Sequence, residues 1–571
     1  MAASTWSARC DSRRGTLAAG IASIFALSAP AAAIASTIWT VTSCLDDDGP
    51  GTLRSIINDP NTLSDDFVSF GFLSCPNSTI TLATGGTGIE VFQDRLTIVG
   101  GITAVDLTID GSKLDGSNDN YSNVFYHFGS DSLTLSHVKV TGGHQSHRYI
   151  DGLGGCIYSK SNAYLYYVTV SSCSAYSAYA SAKGGGIFAR GNVRLVSSNV
   201  TGNSVSAPYG SASGGGVWAG GNIAVLASPN MQHSTISGNS ASSIGYTLGG
   251  GIYAKGNLSA EFSTLSGNTA AGNGGYARGG GLYVGGEATA SSIIVSDNIA
   301  TTFPLTYSAG GGAYVAGNFA VGYSTVSGNR AGFGGGLVLL GLVNSIAAST
   351  VSGNRSYDLA GGVIVPSSAD GSSFLMKNST ISNNVAGSLF GGLSVRSRTA
   401  KFYNSTIAFN SATDRPGVSL GNNVSAAVTL QSTLMSNNVG TSGDLAAIGS
   451  PVFNGGNLAA PANNLVRVNY GPALPADTVI GVCPLLGPLR DNGGPTQTHA
   501  LSSSSAAIDA GNNVLGSLYD QRGPLSVNGQ SDYLRLSGAG LIADIGAYEV
   551  QQDDIVFNTG FEDCPPIPNP T

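Results

Sequence analysis

The chain has 571 residues, of which only 10% are charged, 42% are hydrophobic and 82 are glycine. Its 25 Lys and Arg against 33 Asp and Glu give a formal charge of −8, which supplies neither the basic stripe of a nucleic-acid binder nor a polybasic face for an anionic membrane. Low charge with high glycine also occurs in disordered chains, but the strict phasing of apolar and turn residues argues for a packed, repetitive fold.

Arg9, Arg13 and Arg14 precede an apolar run from Leu17 to Ala33, and Ala33-Ile34-Ala35 fits a small-residue cleavage site. Residues 1–35 are expected to be an export signal, and no later apolar stretch is long enough to span a bilayer. Cys44, Cys75, Cys156, Cys173, Cys483 and Cys564 follow it, an even set that suits an oxidising compartment. Many pairings are open by count alone. Position suggests that Cys156 and Cys173 clip one coil, that Cys44 and Cys75 staple the amino-terminal section, and that Cys483 and Cys564 hold the tail. Zinc ligation lacks the paired Cys-x-x-Cys spacing.

Residues 36–130 form an amino-terminal cap and first coils. Trp39–Ser43 is expected as a strand and Gly51–Ile57 as a short helix with Leu53, Ile56 and Ile57 on its apolar face. The stacked edge of a solenoid is a template for unwanted pairing, so a cap is required. Leu96–Gly100 and Leu107–Gly111 are expected to begin the coils.

Residues 131–440 repeat one pattern. A glycine triplet and an apolar-aromatic pair start each copy, as in Gly184-Gly185-Gly186-Ile187-Phe188 and Gly249-Gly250-Gly251-Ile252-Tyr253. Each closes as Ser234-Thr235-Ile236-Ser237-Gly238-Asn239 does, with Asn recurring at intervals of 25 to 36 residues. Period-two alternation ending in a turn at constant phase marks a strand repeated in every coil. The turn Asn is assigned to the left-handed region, which Asn tolerates, with its side chains stacked in a ladder. About ten such coils predict a rod on the order of 50 Å long. Residues 441–482 carry the last coils and a Gly/Pro/Ala-rich connection, 483–550 a charged terminal module, and 551–571 a tail.

The glycine-triplet and Ser-Gly-Asn alternation resembles the repeats of polymorphic outer-membrane proteins and other pectate-lyase-like right-handed parallel β-helix proteins. Thr40-Val41-Thr42 and Gly49-Pro50-Gly51-Thr52-Leu53-Arg54 resemble the start of exported bacterial proteins of the CSLREA type. Pro484–Leu489, Asp491–Leu501, Ala507–Gly511, Asp520–Gly523 and Asp544–Glu549 resemble the choice-of-anchor Q domain, and Ile555–Glu562 a terminal motif of some gammaproteobacterial secreted proteins. The implied fold is all-β: a single-stranded right-handed parallel β-helix (solenoid) with an N-terminal cap and a C-terminal choice-of-anchor Q-like module. The implied class is an exported surface protein.

Fold alone does not decide between a binder and a polysaccharide lyase or hydrolase. Hydrolysis needs two carboxylates facing one another across a glycosidic bond, and a lyase a calcium-binding acid cluster with a basic residue. Glu261, Glu287, Asp297, Asp358, Asp370 and Asp414 occupy no equivalent positions in adjacent coils and are read as surface charges. His144, His147 and Asp151 are read as a polar loop, with metal or acid-base work as the alternative. In the terminal module Arg522 is expected to pair with a carboxylate such as Asp544, and calcium held by Asp509, Asp520 and Asp544 is the alternative. No cofactor is expected, and the oligomeric state is left open. Tyr179, Tyr209, Tyr246, Tyr276, Tyr307, Phe333 and Tyr357 each shortly precede a glycine triplet or pair, which predicts an aromatic stripe on one flank for a glycan or a surface protein. The expected function is an exported cell-surface or extracellular protein, adhesin-like or structural, with a carbohydrate-active enzyme as the alternative.

Overall fold

A computed structural model describes residues 36–71, 73–83, 86–101, 107–114, 122–228, 232–421, 427–454, 462–471, 473–524, 533–535, 543–551 and 564. The expected export signal at 1–35 and the tail motif at 555–562 lie outside the described residues. The chain winds as a parallel β-helix. Among the described residues it forms three sheets of 15, 15 and 14 parallel strands, and a fourth, of 15 shorter strands, takes up the remaining side. We name them by one coil: sheet C holds Ile187–Ala189, sheet A Val193–Val196, sheet B Asn199–Thr201, and sheet D the pair Ser204–Ala207 and Ala212–Ser213.

The repeat Ser-Thr-x-Ser-Gly-Asn now has a physical reading at each position. The first Ser turns inward at the corner between sheets A and B, where its hydroxyl oxygen accepts the backbone N–H of the preceding coil's Ser, as Ser349 does from Ser324 and Ser379 from Ser349. Thr and the second Ser face outward, and the residue between them, such as Val326 or Val351, enters the core. Glycine makes the next corner: Gly202, Gly238, Gly267, Gly328 and Gly353 all have φ between 62° and 67°. The left-handed residue is therefore the one before the Asn, which corrects the sequence assignment. The Asn has a different task, because a corner leaves backbone groups without sheet partners.

Those Asn side chains form a buried ladder. The Nδ2 of Asn203 donates to Asn239 Oδ1 and to Val170 O, both at 3.0 Å, and Asn203 N donates to the same Oδ1. The pattern passes through Asn268, Asn298, Asn329, Asn354, Asn384 and Asn410 to Asn438. All the amides point the same way, so the last donor meets a carboxylate: Asn438 Nδ2 lies 2.8 Å from Asp444 Oδ1. Burial raises the pKa of Asp444, with the amides of Asn438 and Val468 acting in opposition. At the other end Cys173 takes the Asn position. A Cβ on the third glycine of a triplet faces the Asn, as Gly186 shows at 3.1 Å from Asn203 Cγ, and Cys156 fills that place opposite Cys173. The bridges present are Cys156–Cys173, Cys44–Cys75 and Cys483–Cys564.

The coils begin earlier than the sequence suggests. Ile38–Thr40 and Phe67–Ser69 already belong to sheet A, and the Leu53–Asn58 helix closes this end, burying Leu53, Ile56 and Ile57. Arg54 is buried with them against Asp46 at 2.8 Å and the carbonyls of Thr87 and Gly88. These additional strands, with those between Leu445 and Ile480, lengthen the stack to on the order of 65 Å at one strand spacing per coil.

The terminal module does not extend the rod. An antiparallel pair, Leu486–Arg490 and Thr498–Leu501, folds back against the outer face of sheet B. Leu486, Leu501, Ala507, Ile545 and Tyr548 pack on Ala408, Leu434 and Leu465. Hydrogen bonds join Thr350 Oγ1 to Gln497 O, Thr380 Oγ1 to Gln521 Oε1, Ser382 Oγ to His499 Nε2, and Ala547 N to Thr406 Oγ1. The strands Thr350–Ser352, Thr380–Ser382, Thr406–Ala408 and Leu434–Ser436 are in consequence buried on both faces.

Candidate ligand-binding flank

The middle residue of each sheet C strand points away from the core, because Ile187 and Ala189 and their equivalents point into it. Tyr126, Tyr158, Phe188, Trp218, Tyr253, Tyr283 and Tyr314 hold this position in successive coils. Their centroids are spaced 4.2, 5.3, 4.6, 5.6, 5.3 and 5.5 Å, and no pair of planes is tilted by more than 15°. A ring stacked once per coil has its faces covered by its neighbours and turns its edge outward. The edge is the positive part of the aromatic quadrupole.

The loop aromatics form a second system on the same side, and it is not one stripe. Tyr149, Tyr179 and Tyr209 stack at 5.4 and 5.2 Å. Tyr246, Tyr276 and Tyr307 form another set at 5.8 and 5.4 Å. The break has a local cause: Gly245 N donates to Gly210 O, and Tyr209 precedes its glycine whereas Tyr246 follows its own. All six rings are exposed, from 41% at Tyr276 to 68% at Tyr149. Phe333 is half-buried in a strand with a register shift, and Tyr357 is exposed; neither stacks on another ring among the described residues. Tyr149 lies outside the predicted set although its five-residue lead over Gly154 matches that of Tyr179 over Gly184.

Between the two systems the chain turns sharply at the glycine triplet. Gly184 has φ of 66°, and a Cβ there would sit 2.2 Å from Ile187 O, so only glycine lets the backbone close this corner. Beside it lies a trench between the outward side chains of sheet C and those of the short strands of sheet D. Near its middle it opens to about 320 Å³, lined by Asp151, Leu153, Lys183, Phe188, Arg190, Trp218, Gly220 and Lys255. Lys183 Nζ is 2.6 Å from Asp151 Oδ2. Arg278 spans the two aromatic systems, 5.2 Å from the Tyr276 ring and 5.0 Å from the Tyr314 ring.

The other candidates separate. His144–His147 is a strand of sheet D stacked on Ser174–Ser177, not a loop; His144 meets Ser174, His147 meets Gln145, and Asp151 meets Lys183. Among the described residues no three His, Cys, Asp or Glu side chains converge as metal ligands. Glu287 accepts from Asn318, Asp370 pairs with Arg398, and Asp414 is held by Ser442 and Arg415.

In the terminal module Arg522 is fully buried and pairs with Asp520, not Asp544, at 2.8 Å. Its guanidinium lies between the rings of Tyr533 and Tyr548 at 3.9 and 4.0 Å. Asp544 accepts the backbone amides of Asp509 and Val550 instead, and burial raises its pKa. Asp520 is occupied by Arg522 and the Glu549 amide, so Asp520 and Asp544 are spent on the module's own fold, while Asp509 contributes its backbone amide and keeps its side chain exposed. His499 has its pKa lowered to about 4 by burial, with Gly487 O at Nδ1 and the Ser382 hydroxyl at Nε2. That Ser–His contact has the elements of a nucleophile and base, but Ser382 and His499 are 0% and 3% exposed, which closes it to substrate.

No protein-family model matches the chain, and no curated protein matches it. Among the described residues no helix is long and apolar enough to cross a membrane.

Proposed function

We propose that this is an exported cell-surface or extracellular β-helix protein, adhesin-like, that holds a glycan or a surface protein along one flank, with the terminal segment acting as a choice-of-anchor Q-like module. The observation that carries the reading is the pair of exposed tyrosine ladders, Tyr149–Tyr179–Tyr209 and Tyr246–Tyr276–Tyr307, beside an unfilled trench. Exposed rings clustered in this way mark interaction surfaces more often than isolated ones do. The three disulfides suit an oxidising compartment. Stacked rings offer edges and phenol hydroxyls, and ring faces lie open for a sugar to cover where the stacking is interrupted, at the Tyr209–Tyr246 break and where Tyr276 and Tyr307 tilt apart by 56°. The test is the triple variant Tyr209→Ser/Tyr246→Ser/Tyr276→Ser, assayed against a glycan panel and host-cell surfaces. The proposal expects binding to fall while the melting temperature holds; unchanged binding by a folded variant refutes it. Unsaturated or reducing-end products from the panel would identify an enzyme instead.

A further inference from the structure

We infer that the trench beside Trp218 is a subsite for an anionic sugar unit of an extended acidic polysaccharide. The inference rests on the glycan reading above and names the class of glycan. Its starting point is a column of cations. Lys160, Arg190, Gly220 and Lys255 each follow directly on a sheet C strand, in register from coil to coil, as their backbone N–H groups donate to His127, Ser159, Ala189 and Ala219. Three of the four are exposed bases, and among the described residues none of the three has a carboxylate partner. In a chain of net charge −8 with 25 bases, such alignment concentrates positive potential locally.

The exception in the column makes the subsite. Gly220 leaves a notch next to Trp218, flanked by Arg190 on one side and Lys255 on the other. Those two are two coils apart, which is ~10 Å along the rod. One anionic group placed in the notch is within reach of both flexible side chains. The floor is apolar, and because Phe188, Trp218 and Tyr253 are stacked, it presents ring edges, whose positive hydrogens also favour an oxygen-rich anion. On the opposite wall Lys183 adds a third base, and its partner Asp151 supplies an acceptor for sugar hydroxyls.

The trench runs along the rod, and one coil advances ~4.8 Å, close to the length of a pyranose unit in an extended chain. A linear glycan can thus lie in register with the coils. A nucleic acid is a poorer fit, because its affinity comes from neutralising many successive phosphates, and the column ends at Gly285 and Ala316 in the next coils.

The test measures affinity of the full chain for polygalacturonate, heparin, a neutral dextran and single-stranded DNA, at two salt concentrations. Variants are Arg190→Gln/Lys255→Gln and, as a charge-matched control away from the trench, Lys113→Gln/Lys401→Gln. The acidic chains should bind better than dextran, and the first variant should weaken them about tenfold or more, as loss of two charge-assisted contacts requires. The control should change little. A preference for polygalacturonate or for heparin names the anion as carboxylate or sulfate. Equal binding of dextran and the acidic chains, an unaltered Arg190→Gln/Lys255→Gln variant, or stronger binding of DNA overturns the inference and leaves the glycan reading to its own test. Failure to bind any saccharide of this panel and the broader one refutes both.

Discussion

Sheet B presents the same outward pair, Thr and Ser, in two halves of the rod with opposite fates. In Thr325–Ser327 and Thr169–Ser171 the outward side chains are half-exposed, whereas in Thr350–Ser352 and Thr380–Ser382 they are buried under the terminal module. Solvated hydroxyls and docked hydroxyls are therefore the same residues at the same phase. The first half leaves this face to solvent, and the second uses it to hold its own carboxy-terminal segment. A repeat surface becomes an interface when a partner arrives with groups that meet the hydroxyls it covers, as Gln497, Gln521, His499 and the Ala547 amide do for Thr350, Thr380, Ser382 and Thr406.

The comparison breaks most severely at Arg522. Replacing it by Met leaves Asp520 buried without its partner, a change that costs about 3–5 kcal/mol. Calorimetry should show the module lost and the rod transition retained; simultaneous loss of both would mean that the two halves are one cooperative unit. Acid is the next probe. His499 is neutral when buried, so its contribution is complete above pH 6.5 and falls away as pH drops from 6.5 to about 4, by about 3 kcal/mol in total. Asp544, with its raised pKa, works in the other direction, its contribution being lost as pH rises. Hydrogen-exchange protection across Thr498–Leu501, taken relative to the intrinsic exchange rate at each pH, should fall on acidification in the wild type and not in His499→Gln, while strands around Thr264 stay protected. The smallest effect is the most direct contrast. Thr380→Val removes a buried partner of Gln521 and should destabilise by about 1–2 kcal/mol, whereas Thr325→Val at the same phase should stay within about 0.5 kcal/mol. Equal effects in denaturant titrations would show that docking adds nothing at this face.

Much of the rod is legible in the chain because its determinants are local. Alternation in Ser234–Ser237 predicts the strand, and Ser-Gly-Asn predicts the corner. There the Asn ladder was legible as well, and only the corner was placed one residue late: Gly238 bends the chain, and Asn239 serves the ladder. The loop tyrosines were legible as a recurrence, yet their leads of five and then three residues over the glycine triplet already divide Tyr149–Tyr209 from Tyr246–Tyr307. The outward aromatics from Tyr126 to Tyr314 were in view as part of the repeat but indistinguishable from core residues, since the side of a strand that faces solvent depends on which neighbours pack beneath it.

By itself the sequence determined the all-β solenoid, its phase and the positions of its corners, because period-two patterning and glycine conformations act within a few residues. Only the tertiary structure decided that the terminal module folds back along sheet B, that Arg522 takes Asp520, and that Arg190 and Lys255 flank a notch at Gly220. Those outcomes bring together groups from different coils, or pair two charges that are buried together, and neither leaves a signal in local alternation.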